Sequence, residues 1–280
     1  MRTIRTVAEM RAWLGNVRAE GRSVGLVPTM GAFHAGHHSL MQAAREEQDS
    51  VVVSLFVNPA QFNDTHDLAA YPRTEANDAA EAADLGVDVL FAPPVSEIYP
   101  DGFATTVQVT GLSEVFEGAE RGPGHFAGVC TVVNKLFNIV GPDVAYFGQK
   151  DAQQVAVLKR MVADLDFPLE IRVQPTIRDP DGLALSSRNA RLSPEERRRA
   201  LALSAAVHAG REAGRELLAE HEIEPEYCAA VDPDTFETPG DLIVIAATIG
   251  STRLIDNAKA ATPERRGADP KGAVSVLPTP

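Results

Sequence analysis

The sequence predicts an α/β protein, a Rossmann-like doubly wound parallel sheet followed by a smaller C-terminal α+β domain. Three observations carry that expectation. Short β-branched runs alternate with helical stretches through the first 175 residues, the order that builds a parallel sheet covered by helices on both faces. One of those runs, "VVVSLFV" at Val51 to Val57, is apolar without interruption, as a strand buried on both faces of a parallel sheet must be. After Pro175 the chain turns into a polar loop and a charged helix, which marks a second unit.

Taken in order, Ser23 to Pro28 ("SVGLVP") reads as the first strand of this alternation and His37 to Gln48 as the helix after it. The buried run at Val51 follows, then a helix over Glu75 to Leu85 and a strand in "GVDVLFAP". Apolar residues at helical spacing fill Phe126 to Val140, before a strand in "DVAYF", a helix in "DAQQVAVLKRMVADL" and a strand in "LEIRVQP". Ser193 is placed to cap the charged helix, with Pro194 in its first turn. The strand "DLIVIAAT" is expected to close the second unit. The division expected is residues 1–175, 176–261, and a Pro-, Gly- and charge-rich tail over 262–280 that reads as disordered.

With 280 residues and 44% hydrophobic content the chain can build a sizeable core and about two domains. It carries 26 basic and 39 acidic residues, a net charge of −13, which argues against a nucleic-acid partner. Cys130 and Cys228 stand far apart and form neither a disulfide framework nor a zinc ribbon. The N-terminal stretch "VAEMRAWLGNVRAEG" is amphipathic rather than a signal peptide, and no apolar run approaches the roughly 20 residues that span a bilayer. A cytoplasmic protein is expected.

The chemistry concentrates in "VPTMGAFHAGHHSL", Val27 to Leu40. This stretch leaves the first strand and enters a helix, so it lies at the carboxyl edge of the sheet, where open α/β proteins bind ligands. A helix start offers free N–H groups and partial positive charge to an anion. His34 and His37 fall three residues apart on one face, and Gly36 between them allows a phosphate to approach the main chain. The stretch lacks the remaining ligands of a metal site, and neither G-x-G-x-x-G nor a Walker-type phosphate loop occurs. Phosphate handling is the expectation, with His38 a packed or solvated neighbour.

The same stretch resembles the H-x-G-H signature of nucleotidyltransferases and class I aminoacyl-tRNA synthetases. Together with "FVNPAQF", "YPRT", "GHFAGVCTVVNKLFNIVGPDVAYFGQKDAQQ" and "RDPDGLALSSRN", in that order, it resembles the pantothenate synthetase family, which joins pantoate to β-alanine. The likeness runs from about Val27 to Ser193. It implies a sheet of the HUP/nucleotidyltransferase type, ATP and Mg2+, small-molecule substrates, and a homodimer. It also implies a nucleotide site made of Met30, Gly31, Ala32, Phe33, His34, Ala35, Gly36 and His37, of Gly148, Gln149, Lys150 and Asp151, and of Ile177, Leu185, Ser186, Ser187 and Arg188. His34 and His37 would contact phosphate, His37 as the usual proton donor, and Lys150 would be the phosphate-contacting cation.

"SSR" resembles the mobile K-M-S-K-S loop that binds leaving pyrophosphate. Asn58, Gln61 and Gln154 are the polar candidates for pantoate, because an amide both donates and accepts. Phe62 and Val133 would offer its methyl groups an apolar wall, and Arg121 would sit on a glycine-flanked flap. Asp78 is the best magnesium candidate after "YPRT", where Asn77 stands in place of another acid. One alternative stays open, a nucleotidyltransferase that adenylylates a phosphorylated cofactor precursor. Such an enzyme needs extra cations at its acceptor site, whereas "FVNPAQF" and "KDAQQ" supply amides and apolar surface.

Overall fold

The computed structural model describes residues 1–63, 65–122 and 124–260. The tail expected over 262–280 therefore lies outside the described residues. The chain runs β1 (Arg2–Ile4), α1 (Val7–Ala19), β2 (Val24–Thr29), α2 (Ala35–Glu47), β3 (Ser50–Leu55), α3 (Thr65–Ala70), α4 (Glu75–Asp84) and β4 (Val89–Phe91). It continues through α5 (Val95–Ile98), α6 (Glu117–Arg121), α7 (Gly124–Val140), β5 (Val144–Gly148), α8 (Ala152–Asp164) and β6 (Glu170–Gln174). The last elements are α9 (Pro194–Ala209), α10 (Arg211–Glu220), β7 (Pro225–Val231), β8 (Leu242–Ile249) and β9 (Thr252–Lys259).

Six strands form a parallel sheet in the order β1-β4-β3-β2-β5-β6. From β2 the chain winds outward through β3 to β4, then returns to place β5 on the other side of β2. The order therefore reverses between β2 and β5, and a crevice opens at their carboxyl ends. One face of the sheet buries Leu26, Val52 and Phe147 against α1, α7 and α8, and the other buries Val27, Val53 and Tyr146 against α2 and α4. That two-sided burial explains the unbroken apolar run of β3, in which Ser50 to Ser54 are all buried.

The second sheet is antiparallel, β7-β8-β9, with α9 and α10 packed on it around Leu203, Leu218, Ile243 and Ile245. The α9 start is a reciprocal cap: Ser193 accepts from the Glu196 N–H and Glu196 accepts from the Ser193 N–H. The expectation that "DLIVIAAT" closes this unit needs correction, since β9 follows it and pairs along its whole length. Its sequence, "TRLIDNAK", places Asp256 and Asn257 side by side in a strand where alternation would call for one apolar residue, which hid it.

α7 crosses the site on a close backbone contact. Gly128 faces the Ala60 carbonyl and the Gln61 amide so tightly that a Cβ would overlap main-chain atoms, and the Gly128 carbonyl accepts from Asn58 Nδ2 at 3.1 Å. Gly128→Ala should therefore destabilise the protein by at least the roughly 1–3 kcal/mol of ordinary overpacking, read as a drop in the urea midpoint. An unchanged midpoint would contradict this packing.

Candidate functional site

A cavity of about 500 Å³ opens at the carboxyl ends of β2 and β5, with the second sheet forming its far wall. Its floor begins where β2 ends. Gly31 has φ +89° and Ala32 φ +53°, so the chain turns sharply there. The turn is held from below by Asp78, which is fully buried. One Asp78 oxygen accepts from the Ala32 N–H at 3.0 Å and from the Thr74 hydroxyl at 3.0 Å, and the other accepts from the Phe33 N–H at 2.9 Å. A Cβ on Gly31 would lie 3.0 Å from that carboxylate, so glycine is required twice over.

Asp78 thus holds the loop under the histidines. The expectation that it serves magnesium is replaced by this role: three protein donors engage its oxygens, and it is absent from the cavity lining. Among the described residues no group of three His, Cys, Asp or Glu side chains could hold a metal.

The turn delivers His34 to the cap of α2. His34 Nδ1 accepts from the Gly36 N–H at 3.1 Å, and the His34 N–H donates to His37 Nδ1 at 3.3 Å. This is a capping box built from two imidazoles. Because both Nδ1 atoms accept backbone protons, the geometry assigns the proton of each neutral ring to Nε2. The rings lie 4.2 Å apart between centroids, tilted by 40°, and line the cavity. Gly36 serves this cap directly, since a Cβ there would come within 2.9 Å of the His34 ring.

Burial, and then the neighbouring His34, push the His37 imidazole down to about 3. Burial, and then the Lys150 charge, lower His34 as well. Near neutral pH the site therefore presents two uncharged N–H donors. His38 takes no part, because it turns away to Glu81 at 2.7 Å.

Across the crevice, β5 ends in a short 3-10 turn, Gln149 to Asp151, that carries Lys150. Lys150 Nζ lies 3.3 Å from Asp151 and the side chain is 19% exposed. A second cation, Arg188, comes from the loop after β6. Ser186 caps the turn at Ser187–Arg191 by accepting from the Arg188 N–H. Burial, and then the Arg121 charge, push the Arg188 guanidinium down, and it has no ion-pair partner among the described residues.

The amide side of the cavity is organised by Asn58, which is only 1% exposed. Its Oδ1 accepts from Tyr99 Oη and the Ala60 N–H, and its Nδ2 donates to Gln61 Oε1 and the Gly128 carbonyl. Asn58 is satisfied by protein and orients Gln61, whose Nε2 meets, among the described residues, only the Met30 sulfur at 3.1 Å. Gln154, Phe62 and Val133 also line the cavity.

Arg121 lines it too. It lies at the end of α6, where its Nε donates to Glu117 at 2.8 Å within the same helix.

The lining brings together His34, Gly36, His37, Met30, Gly148, Lys150, Asp151, Ile177, Leu185, Ser186, Ser187 and Arg188. Gly31, Ala32, Phe33, Ala35 and Gln149 stand behind it, in the turns that shape it. The sequence reading missed Tyr71, His125, Asp256 and Asn257, which also line the cavity. His125 lies within the quoted "GHFAG" block, and its ring contacts the Gln61 carbonyl at 3.0 Å. Burial, and then Arg121, push it down to about 4.

Comparison with known proteins gives a consistent result. A family model described as pantoate-beta-alanine ligase matches residues 2–259. A pantothenate synthetase from Koribacter versatilis is 51% identical over 280 residues, covering 92% of this chain and 95% of its own. One from Moorella thermoacetica is also 51% identical, covering 92% and 98%. Among solved structures, pantothenate synthetase from Thermus thermophilus matches with a TM-score of 0.85 at 46% identity, covering 92% of this chain and 99% of its own. A pantoate-beta-alanine ligase from Francisella tularensis, complexed with beta-gamma ATP and beta-alanine, matches with a TM-score of 0.81 at 36% identity, covering 92% and 97%.

The lowered imidazoles give a pH signature. In the fold His37 and His125 lie near 3 and 4, below the ordinary 6.5 of the unfolded chain, so the native state binds fewer protons. Their contribution is complete above pH 6.5 and is lost as the pH falls through their folded values. The urea midpoint of the ligand-free protein should fall between pH 6.5 and 4, and His37→Gln with His125→Gln should flatten that fall. The same slope in both proteins would contradict the burial of neutral rings.

Proposed function

The chain belongs to the pantoate-beta-alanine ligase family, and from that premise we propose which of its residues carry the reaction. The enzyme condenses pantoate with β-alanine, using ATP, and forms pantothenate, AMP and pyrophosphate through pantoyl adenylate. One observation carries the assignment of roles: the His34–Gly36–His37 helix start and Lys150 meet across a single cavity at the reversal of strand order.

In the first step a pantoate carboxylate oxygen bonds to the α-phosphorus of ATP, and the bond from that phosphorus to the bridging oxygen breaks to release pyrophosphate. Charge moves onto phosphoryl oxygens, so fixed donors and cations lower the barrier by positioning and electrostatics. His34 and His37 donate hydrogen bonds from Nε2 to the α-phosphoryl group. Burial lowers His37 to about 3 in the ligand-free site, so at neutral pH the ring meets the nucleotide uncharged and donates a hydrogen bond from Nε2. Lys150 compensates charge on the phosphates, and Arg188 with Ser186 and Ser187 receives the leaving pyrophosphate.

Pantoate lies against Phe62 and Val133, with its polar groups toward Gln61 and Gln154. In the second step the uncharged amine of β-alanine bonds to the acyl carbon, and the bond from that carbon to the phosphate oxygen breaks to release AMP. Magnesium would accompany the nucleotide and offset its charge; among the described residues no group of three His, Cys, Asp or Glu side chains would hold it. Residues 176–261 act as a lid, with the boundary at Pro175. A cytoplasmic homodimer is the expected form, on family grounds.

Mixing enzyme with ATP and pantoate should release pyrophosphate without AMP, and β-alanine should then release AMP and pantothenate. His37→Ala and Lys150→Ala should each slow the first step by roughly a hundredfold or more, the scale for removing one fixed donor or charge. Failure of the complete mixture to form AMP would contradict the reading, and a variant that forms adenylate at the original rate would remove that residue from the phosphate site.

A further inference from the structure

Asn257 lies on β9, in the second sheet, yet its side chain is spent entirely on the turn that carries Lys150. Its Nδ2 donates to the Gln149 carbonyl at 3.0 Å and to the Lys150 carbonyl at 2.9 Å, and its Oδ1 accepts from Gln149 Nε2 at 3.2 Å. Asn257 is 5% exposed, so an unsatisfied amide would be costly there; the turn satisfies it.

The residue before it grips a different segment. Asp256, also buried, pairs through both oxygens with Arg178 at 2.7 and 2.9 Å. Arg178 lies on the stretch that leads from β6 to Ser186–Arg188. Successive residues of a strand point to opposite sides, so two adjacent positions on β9 hold the lysine turn with one side chain and the Arg188 loop with the other.

The turn joins β5 to α8, whose cap residue is Asp151. Among the described residues the Lys150 side chain meets only Asp151, and a 3-10 turn of three residues is not rigid by itself. We propose that Asn257 is a positioning residue for adenylation, which sets the main chain of Lys150 so that its ammonium reaches the phosphates and thereby makes this step depend on the docking of the C-terminal sheet. The proposal rests on the role assigned to Lys150 above. Asn257 touches none of the reacting atoms in this scheme; it acts through the lysine. A displacement of about 1 Å in a positioning group can lower a rate by roughly a hundredfold, so losing two hydrogen bonds to the turn is enough to matter.

The test uses Asn257→Leu, which keeps the branching at Cγ and removes the side-chain hydrogen bonds, with the smaller Asn257→Ala as a second variant and a thermal melt to confirm folding. Pyrophosphate release from ATP and pantoate should slow by roughly 10- to 100-fold. Reaction of supplied pantoyl adenylate with β-alanine should stay within about twofold, which a general loss of structure would not spare.

The decisive reading is the double variant. In a Lys150→Ala background, Asn257→Leu should cost little further in the first step, because the group it positions is gone. Additive losses, or an unchanged first step in folded Asn257→Leu, would overturn the proposal. Normal adenylation by Lys150→Ala alone would instead refute the role of Lys150, so the two failures are distinguishable.

Discussion

The site depends on one local constraint, the way the chain enters α2. A helix start leaves N–H groups without partners, and most proteins answer with Ser, Thr, Asp or Asn. Here two imidazoles accept from the Gly36 and His34 N–H groups. Solving the capping problem in this way fixes both rings, assigns their tautomers and turns their remaining N–H groups toward the ligand. The same residues thus serve folding and chemistry, which explains why the loop before them tolerates backbone at φ +89° and +53° and a buried carboxylate beneath it.

The opposite wall is organised by buried polar contacts that β9 makes with α6 and with the loop after β6. Glu117 accepts from Arg121, from Tyr227 Oη at 2.8 Å and from both Nη atoms of Arg253. Burial would raise the Glu117 carboxyl, but Arg253 and then Arg121 bring it down to about 2. Buried ion pairs contribute little net stability relative to well-packed apolar groups, whereas removing one partner is costly. Their value here is geometric: Glu117–Arg253 holds the second sheet to α6 and Asp256–Arg178 holds the loop after β6 to that sheet, so that Lys150, Arg121 and Arg188 converge on a space of about 500 Å³.

Much of this was legible in the sequence, for definite reasons. Strands buried on both faces announce themselves as apolar runs, and the His34–Gly36–His37 stretch advertises a strand-to-helix junction. The three-residue β1 is too short to show a pattern, and β9 is disguised by Asp256 and Asn257. Asp78 illustrates a different limit. Its residue type fits a metal ligand, but only coordinates reveal that the Ala32 and Phe33 N–H groups, some 45 positions earlier, already occupy it. Likewise nothing in sequence links Asn257 to Lys150 across 107 positions, although a buried polar pair inside a strand is a signal that such a partner exists.

The central claim is that His34 and His37 are neutral Nε2–H donors fixed by the backbone. Long-range 1H–15N NMR of the two imidazoles in the ligand-free protein tests it most directly. At pH 7 both rings should carry the proton on Nε2 with Nδ1 unprotonated, and His37 should keep that signature when the sample is acidified to pH 5. An Nδ1–H tautomer on either ring, or a cationic His37 at pH 6, would contradict the account.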